Sequence, residues 1–263
     1  MDYFNINMES HLLAIASEKT MTPIKKSLQF GWEEFLKDPW MYILYTAIGA
    51  VANLVIYKIP VIGPFILVVL GLPLQLGIAI YYYQKNNFQD DHFKHFFDGF
   101  SHTRELLKFF LIIIGCTLLL MIPLFIIVVI TEVSIDIASG GATSSQLSWV
   151  TNMVILLYTP FILFATICII LAPYFIYFFK LKAMDSIKMS YRFVKPRWWS
   201  YFRFYIVIFL IGILGALTII GMLITTPIIS LAMMHQFFTV TKMKVRKEDG
   251  SEAVLDGLVE VGA

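Results

Sequence analysis

The residues best suited to chemistry in this chain are His92, His95 and His102, which share one polar stretch with Asp90, Asp91 and Asp98. Imidazoles beside carboxylates are a donor set for a divalent metal, and His92 and His95, three apart, could share one face of a helix. A built zinc site would add ligands at fixed spacing, yet the chain has no HExxH motif and neither cysteine lies nearby. The stretch is therefore expected to be the solvated face of a helix at a membrane surface, with no metal or cofactor. His11 and His235 stand alone. Cys116 and Cys168 lie inside apolar runs and read as small buried hydrophobes rather than a disulfide. GxSxG, Walker A, GxGxxG and GxxxG patterns are all missing.

The elements that must carry these residues are membrane spans. The chain has 263 residues, 59% hydrophobic and 14% charged, and a mean hydropathy of +0.77, which leaves too little polar surface to close a water-soluble globule. Apolar runs predict an all-α polytopic protein with six transmembrane helices near 40–58, 62–83, 106–130, 150–179, 203–222 and 224–241. Nineteen of the 20 Lys and Arg residues fall before the first run, between the second and third, around the fourth-to-fifth junction, or after the sixth. Only Lys58 lies on the other side. Such charges resist translocation, so both termini are expected in the cytoplasm. The first 20 residues carry acidic groups and lack a long apolar core, so they do not read as a cleaved signal peptide. No charged residue occurs near the middle of any run, where it would cost about 2.5–3.5 kcal/mol. A proton relay or charged substrate site has no candidate there, and a non-catalytic role is expected. Asn53, Gln75, Thr117, Asn152, Thr166, His235 and Gln236 are expected to hydrogen-bond to neighbouring helices, each for about 0.6–2 kcal/mol.

Amphipathic helices at the inner interface are expected near 24–37, 91–101 and 183–198. In the first, Ile24, Leu28, Trp32, Phe35 and Leu36 form the apolar face and Lys25, Lys26, Gln29, Glu33, Glu34 and Lys37 the polar one. In the last, Ala183, Ile187, Tyr191, Val194 and Trp198 oppose Asp185, Lys188, Arg192 and Lys195. Ser27–Trp40 aligns without a gap on Ser186–Trp199. Pro73, Pro173 and Pro227 each precede an aromatic cluster and a Lys at the inner end of a span. The pattern predicts repeated hairpin units, with the first and third as true repeats and the middle one not.

Trp32, Trp40, Lys195, Arg197, Trp198, Trp199 and Tyr201 are candidate interface anchors, rings among headgroups and cations against phosphates. The run KPRWWSYFRF is thus assigned to anionic lipid and not to nucleic acid. Residues 131–149 are expected to form an exposed flexible loop around Gly140 and Gly141. The domains are then an N-terminal cytoplasmic segment (1–22), a membrane domain (23–242) and a cytoplasmic tail (243–263). In the tail, Val254, Leu255, Leu258 and Val259 make a small apolar face suited to docking on a membrane-protein partner.

The segment DSIKMSYRFVKPRWWSYFRFYIVIFLIGILGAL, with SLQFGWEEFLKDPW, PVIGP, GLPLQLG and FFDGF earlier, resembles the YciC-like six-span bacterial inner-membrane proteins. It is also similar to the membrane domain fused to some glycerophosphodiester phosphodiesterases. The resemblance covers about two thirds of the chain and implies an inner-membrane protein without an active site to carry over. Together these features point to an accessory or scaffold subunit of a larger membrane assembly, in envelope or membrane-protein biogenesis. The alternative is a transporter or lipid-handling protein with helices broken at the prolines.

Overall fold

The structure is a computed structural model and describes residues 12–18, 23–60, 62–139, 144–243, 245–246 and 252–253. A short helical stretch at 12–16 precedes α1 (Ile24–Lys37), α2 (Pro39–Tyr57) and α3 (Ile62–Phe88). A 3-10 helix, Phe93–His102, leads into α4 (Thr103–Ser139) and α5 (Ser144–Ile169). After a break come α6 (Ala172–Phe178), α7 (Ala183–Val194), a 3-10 turn Lys195–Arg197, α8 (Trp198–Ala216) and α9 (Ile219–Thr241). The fold is all-helical but for β1 (Val245–Arg246) and β2 (Glu252–Ala253), which pair antiparallel as a two-residue ladder.

Among the described residues, five stretches are long and apolar enough to cross a membrane: Pro39–Tyr57, Phe93–Pro123, Leu156–Phe178, Ala183–Ala216 and Ile220–Thr241. The last is the central helix, with 67% of its most apolar window buried against 11% for Phe93–Pro123. The reason lies in its neighbours. It packs on α1, α2, α3 and α8, so side chains all round it, such as Leu231, Met234, Phe237 and Phe238, are covered.

Local sequence sets the ends of these helices. Pro39 fills the first position of α2, where its missing N–H costs nothing. The Thr218 side chain accepts a hydrogen bond from the Gly221 N–H (2.9 Å), capping α9. Among the described residues, Gln89, Lys180 and Lys242 alone combine a side chain with positive φ, at 55°, 52° and 53°. Each lies just beyond the C-terminal end of α3, α6 or α9, where a left-handed residue turns the chain out of the helix at a cost of roughly 1–2 kcal/mol.

Several expectations change. The fourth apolar run is two helices, because the chain breaks at 170–171 just before Pro173, whose ring cannot continue the α5 ladder. The supposed outer loop is largely helix. Backbone hydrogen bonding carries α4 through Ser139, and α5 resumes at Ser144, since no breaker precedes Gly140 and Gly141. The second interfacial segment is a 3-10 helix rather than an α-helix.

The buried core lies toward the ends of the helices that carry the basic clusters. Away from it, α4 stands bare: residues 115–120, six in a row and so on every side of the helix, are all exposed.

Candidate functional site

Two polar clusters lie at the basic end. In the first, α1 meets α9. Ser27, fully buried, sits with its Oγ 3.1 Å from His235 Nδ1, and Gln236 Nε2 donates to the same Oγ at 2.7 Å. An oxygen that receives the Gln236 N–H still has its own proton, and an imidazole nitrogen at this distance can accept it. The Phe30 ring lies over His235, centroids 4.4 Å apart. Serine beside histidine suggests nucleophilic chemistry. Here, though, Ser27 has no exposure to a substrate, and the cluster acts as a buried seam between two helices. His235 and Gln236, expected to bond to a neighbouring helix, do so here, and the partner is hidden in sequence because Ser27 lies 208 positions from His235.

Close packing explains why α1 seats there. A Cβ on Gly31 would lie 2.6 Å from the Ile228 carbonyl oxygen and 3.3 Å from Ala232 N, so only glycine lets the backbones approach this far. The face that α1 buries therefore contains Ser27, Gly31, Glu34 and Phe35. This corrects the assignment of Glu34 to a solvated face: the residue is buried, with Lys37 Nζ 3.0 Å from Oε2. Of the apolar face assigned to the membrane interface, Trp32 and Leu36 point outward, whereas Phe35 is buried in the protein.

The second cluster is the histidine stretch. His95 Nδ1 lies 2.6 Å from Asp98 Oδ2 and Nε2 lies 2.8 Å from Asp90 Oδ2; the Nε2 contact is close enough to pair though off the ideal line of the N–H bond. A neutral imidazole carries one N–H, so only the imidazolium serves both carboxylates. Asp90 also faces Lys94 and His92, each at 4.0 Å. Hydrogen bonding to His95 first, then to the His92 N–H, holds the Asp90 carboxyl below its ordinary value. His102 lies apart from these groups: its Nδ1 is 2.8 Å from Ser101 Oγ and its ring is packed on Tyr177. Among the described residues, no three His, Cys, Asp or Glu side chains converge as a metal cage.

The candidate anchors divide into two groups. Trp40 (80% exposed), Trp199 (70%), Trp32 and Lys195 lie on the surface. Arg197 and Tyr201 do not. Arg197 is 3% exposed and donates to the carbonyls of Phe193 (2.8 Å), Ile15 (3.2 Å) and Ala16 (3.3 Å). Its planar fork caps two chain segments at once, so the internal carbonyls take the place expected of a phosphate. Tyr201 is buried beneath it. Trp198 is half-buried, its ring tilted against Phe164 with centroids 4.6 Å apart.

The buried face of α7 is also shifted. Ala183 and Val194, assigned to the face turned to the headgroups, are instead buried in the protein together with Ser186, Met189, Ser190 and Phe193, while Tyr191 is exposed. Ser190 mends the α5–α6 break: its Oγ donates to the Cys168 carbonyl (2.7 Å) and accepts from the Leu171 N–H (3.2 Å). Two backbone groups stranded by the break are thereby satisfied inside the protein. Asn53 and Thr166 need no neighbour, since each donates to the carbonyl four residues before it. Val254, Leu255, Leu258 and Val259 lie outside the described residues.

No family model matches this chain. Neither a curated protein nor a solved structure matches it.

Proposed function

We propose that this is a six-span protein of the bacterial inner membrane, with both termini cytoplasmic, which works as a non-catalytic accessory or scaffold subunit of a larger membrane assembly. The observation that carries this reading is the bare outer part of α4. A helix exposed on every side over residues 115–120 offers apolar surface to a neighbouring protein in the bilayer. The sixth span is α3, whose 27 residues rise about 40 Å, more than the hydrocarbon needs. The lack of mid-span charge and the partition of Lys and Arg support the non-catalytic role and the orientation. Resemblance to the YciC-like proteins points the same way. The basic inner face would lie against anionic headgroups, and the tail from residue 243, with Val254, Leu255, Leu258 and Val259, would dock on the partner.

The test is gentle solubilisation of membranes carrying a tagged chain, followed by native separation and identification of co-migrating proteins. A stoichiometric membrane-protein partner, weakened by deleting residues 249–263, is the expected result. A chain that always migrates alone and moves a solute or lipid in reconstituted vesicles would instead establish the second reading, a transporter or lipid-handling protein. The break in the α5–α6 helix before Pro173 favours that alternative, because discontinuous spans commonly frame such sites.

A further inference from the structure

Three junctions at the basic end share one design. The 3-10 helix Phe93–His102 seats on α3, with a Cβ on Gly99 meeting the Pro73 carbonyl oxygen at 2.7 Å and Phe96 stacked on Tyr81 at 4.1 Å. α7 seats on the α5–α6 break, with Ser190 bridging Cys168 and Leu171 beside Pro173, and Phe193 against Phe175 at 5.2 Å. α1 seats on α9, with Gly31 against Ile228 beside Pro227, and Phe30 against His235 at 4.4 Å. Each interfacial segment thus places a small residue against the proline-bearing helix of the hairpin before it, and the first segment seats on the last hairpin.

Other features keep the same count. The left-handed residues Gln89, Lys180 and Lys242 end those same three helices. Tyr83 of α3, Phe178 of α6 and Phe238 of α9 meet as a triangle, with ring centroids 5.3, 6.0 and 5.1 Å apart. The alignment of α1 on α7 continues inward as matched burial: Ser27 with Ser186, Phe35 with Val194, Tyr42 with Tyr201, and Tyr45 with Phe204.

We infer that three equivalent units, the middle one included, close into a ring around the Tyr83–Phe178–Phe238 axis, and that α1 on α9 is its clasp, the junction that opens first. The other two junctions join neighbouring stretches of chain; Ser190 and Leu171 are 19 positions apart. Ser27 and His235 are separated by 208, so the clasp closes the longest loop and regains the most freedom when it opens. It is also the last junction that synthesis can complete, since α1 emerges first and its seat last. Glu18 to Lys242 at 2.6 Å and Arg197 to Ile15 and Ala16 extend the clasp along the stretch preceding α1. Opening it would uncover Ser27, His235 and Gln236 while leaving the other junctions shut. This goes beyond the accessory role and holds or fails separately from it.

The test uses the full chain carrying Cys116→Ala and Cys168→Ala, with one further substitution at each junction: Phe96→Cys, Ser190→Cys or Gln236→Cys, all at buried positions. Thiol modification is followed in permeabilised membranes as urea rises. The Gln236→Cys thiol should react first, roughly 20- to 40-fold faster than the others, as the difference in loop length suggests. Hydrogen exchange on the unsubstituted protein is the second measurement, with α1 and the inner end of α9 exchanging before 93–102 and 183–194. Equal rates at the three junctions, or earlier opening at Phe96→Cys or Ser190→Cys matched by exchange in the unsubstituted protein, would overturn the clasp.

Discussion

Gly31 faces the Ile228 carbonyl so closely that one added methyl group would lie 2.6 Å from the oxygen. Backbone atoms cannot yield as a flexible side chain can. Gly31→Ala should therefore lower stability by about 1–3 kcal/mol, the usual range for overpacking. Gly49→Ala, at a helical position with open space around it, should be neutral or raise stability by roughly 0.5–1 kcal/mol through helix propensity. Thermal unfolding in detergent distinguishes the pair, and equal effects would refute the tight seat.

Ser190→Ala removes the partner of both the Cys168 carbonyl and the Leu171 N–H. Leaving buried backbone groups unpaired costs about 1–3 kcal/mol each. Ser186→Ala, whose hydroxyl has no hydrogen-bond partner among the described residues, should cost far less. A chemical-denaturation comparison of the two variants checks this.

Arg197→Lys keeps the charge but loses the planar fork that reaches Phe193, Ile15 and Ala16 together. The expected outcome is release of the N-terminal stretch, read as faster proteolysis near residues 12–18, with α8 still inserted. Unchanged proteolysis would mean that the contacts to Ile15 and Ala16 do not hold that stretch.

The Asp90–His95–Asp98 cluster predicts a pH profile. Asp90 is held below its ordinary carboxyl value of 3.8, so its contribution is present above that value and lost as pH falls through the lowered one. On the alkaline side, loss of a proton from His95 leaves one carboxylate without its donor, and the 3-10 helix should loosen from α3. His95→Gln should flatten the alkaline limb, followed by hydrogen exchange across 93–102.

Orientation is tested by thiol labelling. A Ser139→Cys substitution at the outer end of α4 should react with an impermeant reagent from outside, and Ser251→Cys only after the membrane is opened. The reverse pattern would overturn the six-span arrangement.

How far the fold was legible depended on which force set each element. Apolar runs reported helix positions well, and the bounds of α1 follow from its 3.6-residue period. Which face of α1 touches protein was hidden, because Ser27 and Gly31 register as polar or neutral on any hydrophobic scale. In a membrane, close approach of small residues, and not apolarity, selects the protein-facing side, while Trp32 and Leu36 are left to the headgroups. Arg197 was misread for a related reason: its role depends on carbonyls of a distant segment that no local pattern shows. The Ser27–His235–Gln236 seam likewise joins the two ends of the chain. By contrast, the Asp90–His95–Asp98 cluster is compact in sequence and visible at once, although His95, expected on a solvated face, is buried between its two carboxylates.

The length of α4 has one more consequence. Its 37 residues rise about 55 Å, while the hydrocarbon core is about 30 Å thick. Exposed on every side over residues 115–120, the rod can match the bilayer only by tilting, by projecting beyond it, or by thickening the lipid around itself. Each response carries an elastic cost that depends on the surrounding acyl chains. Bilayer thickness thereby becomes a variable to which this hairpin responds, without any ligand at all.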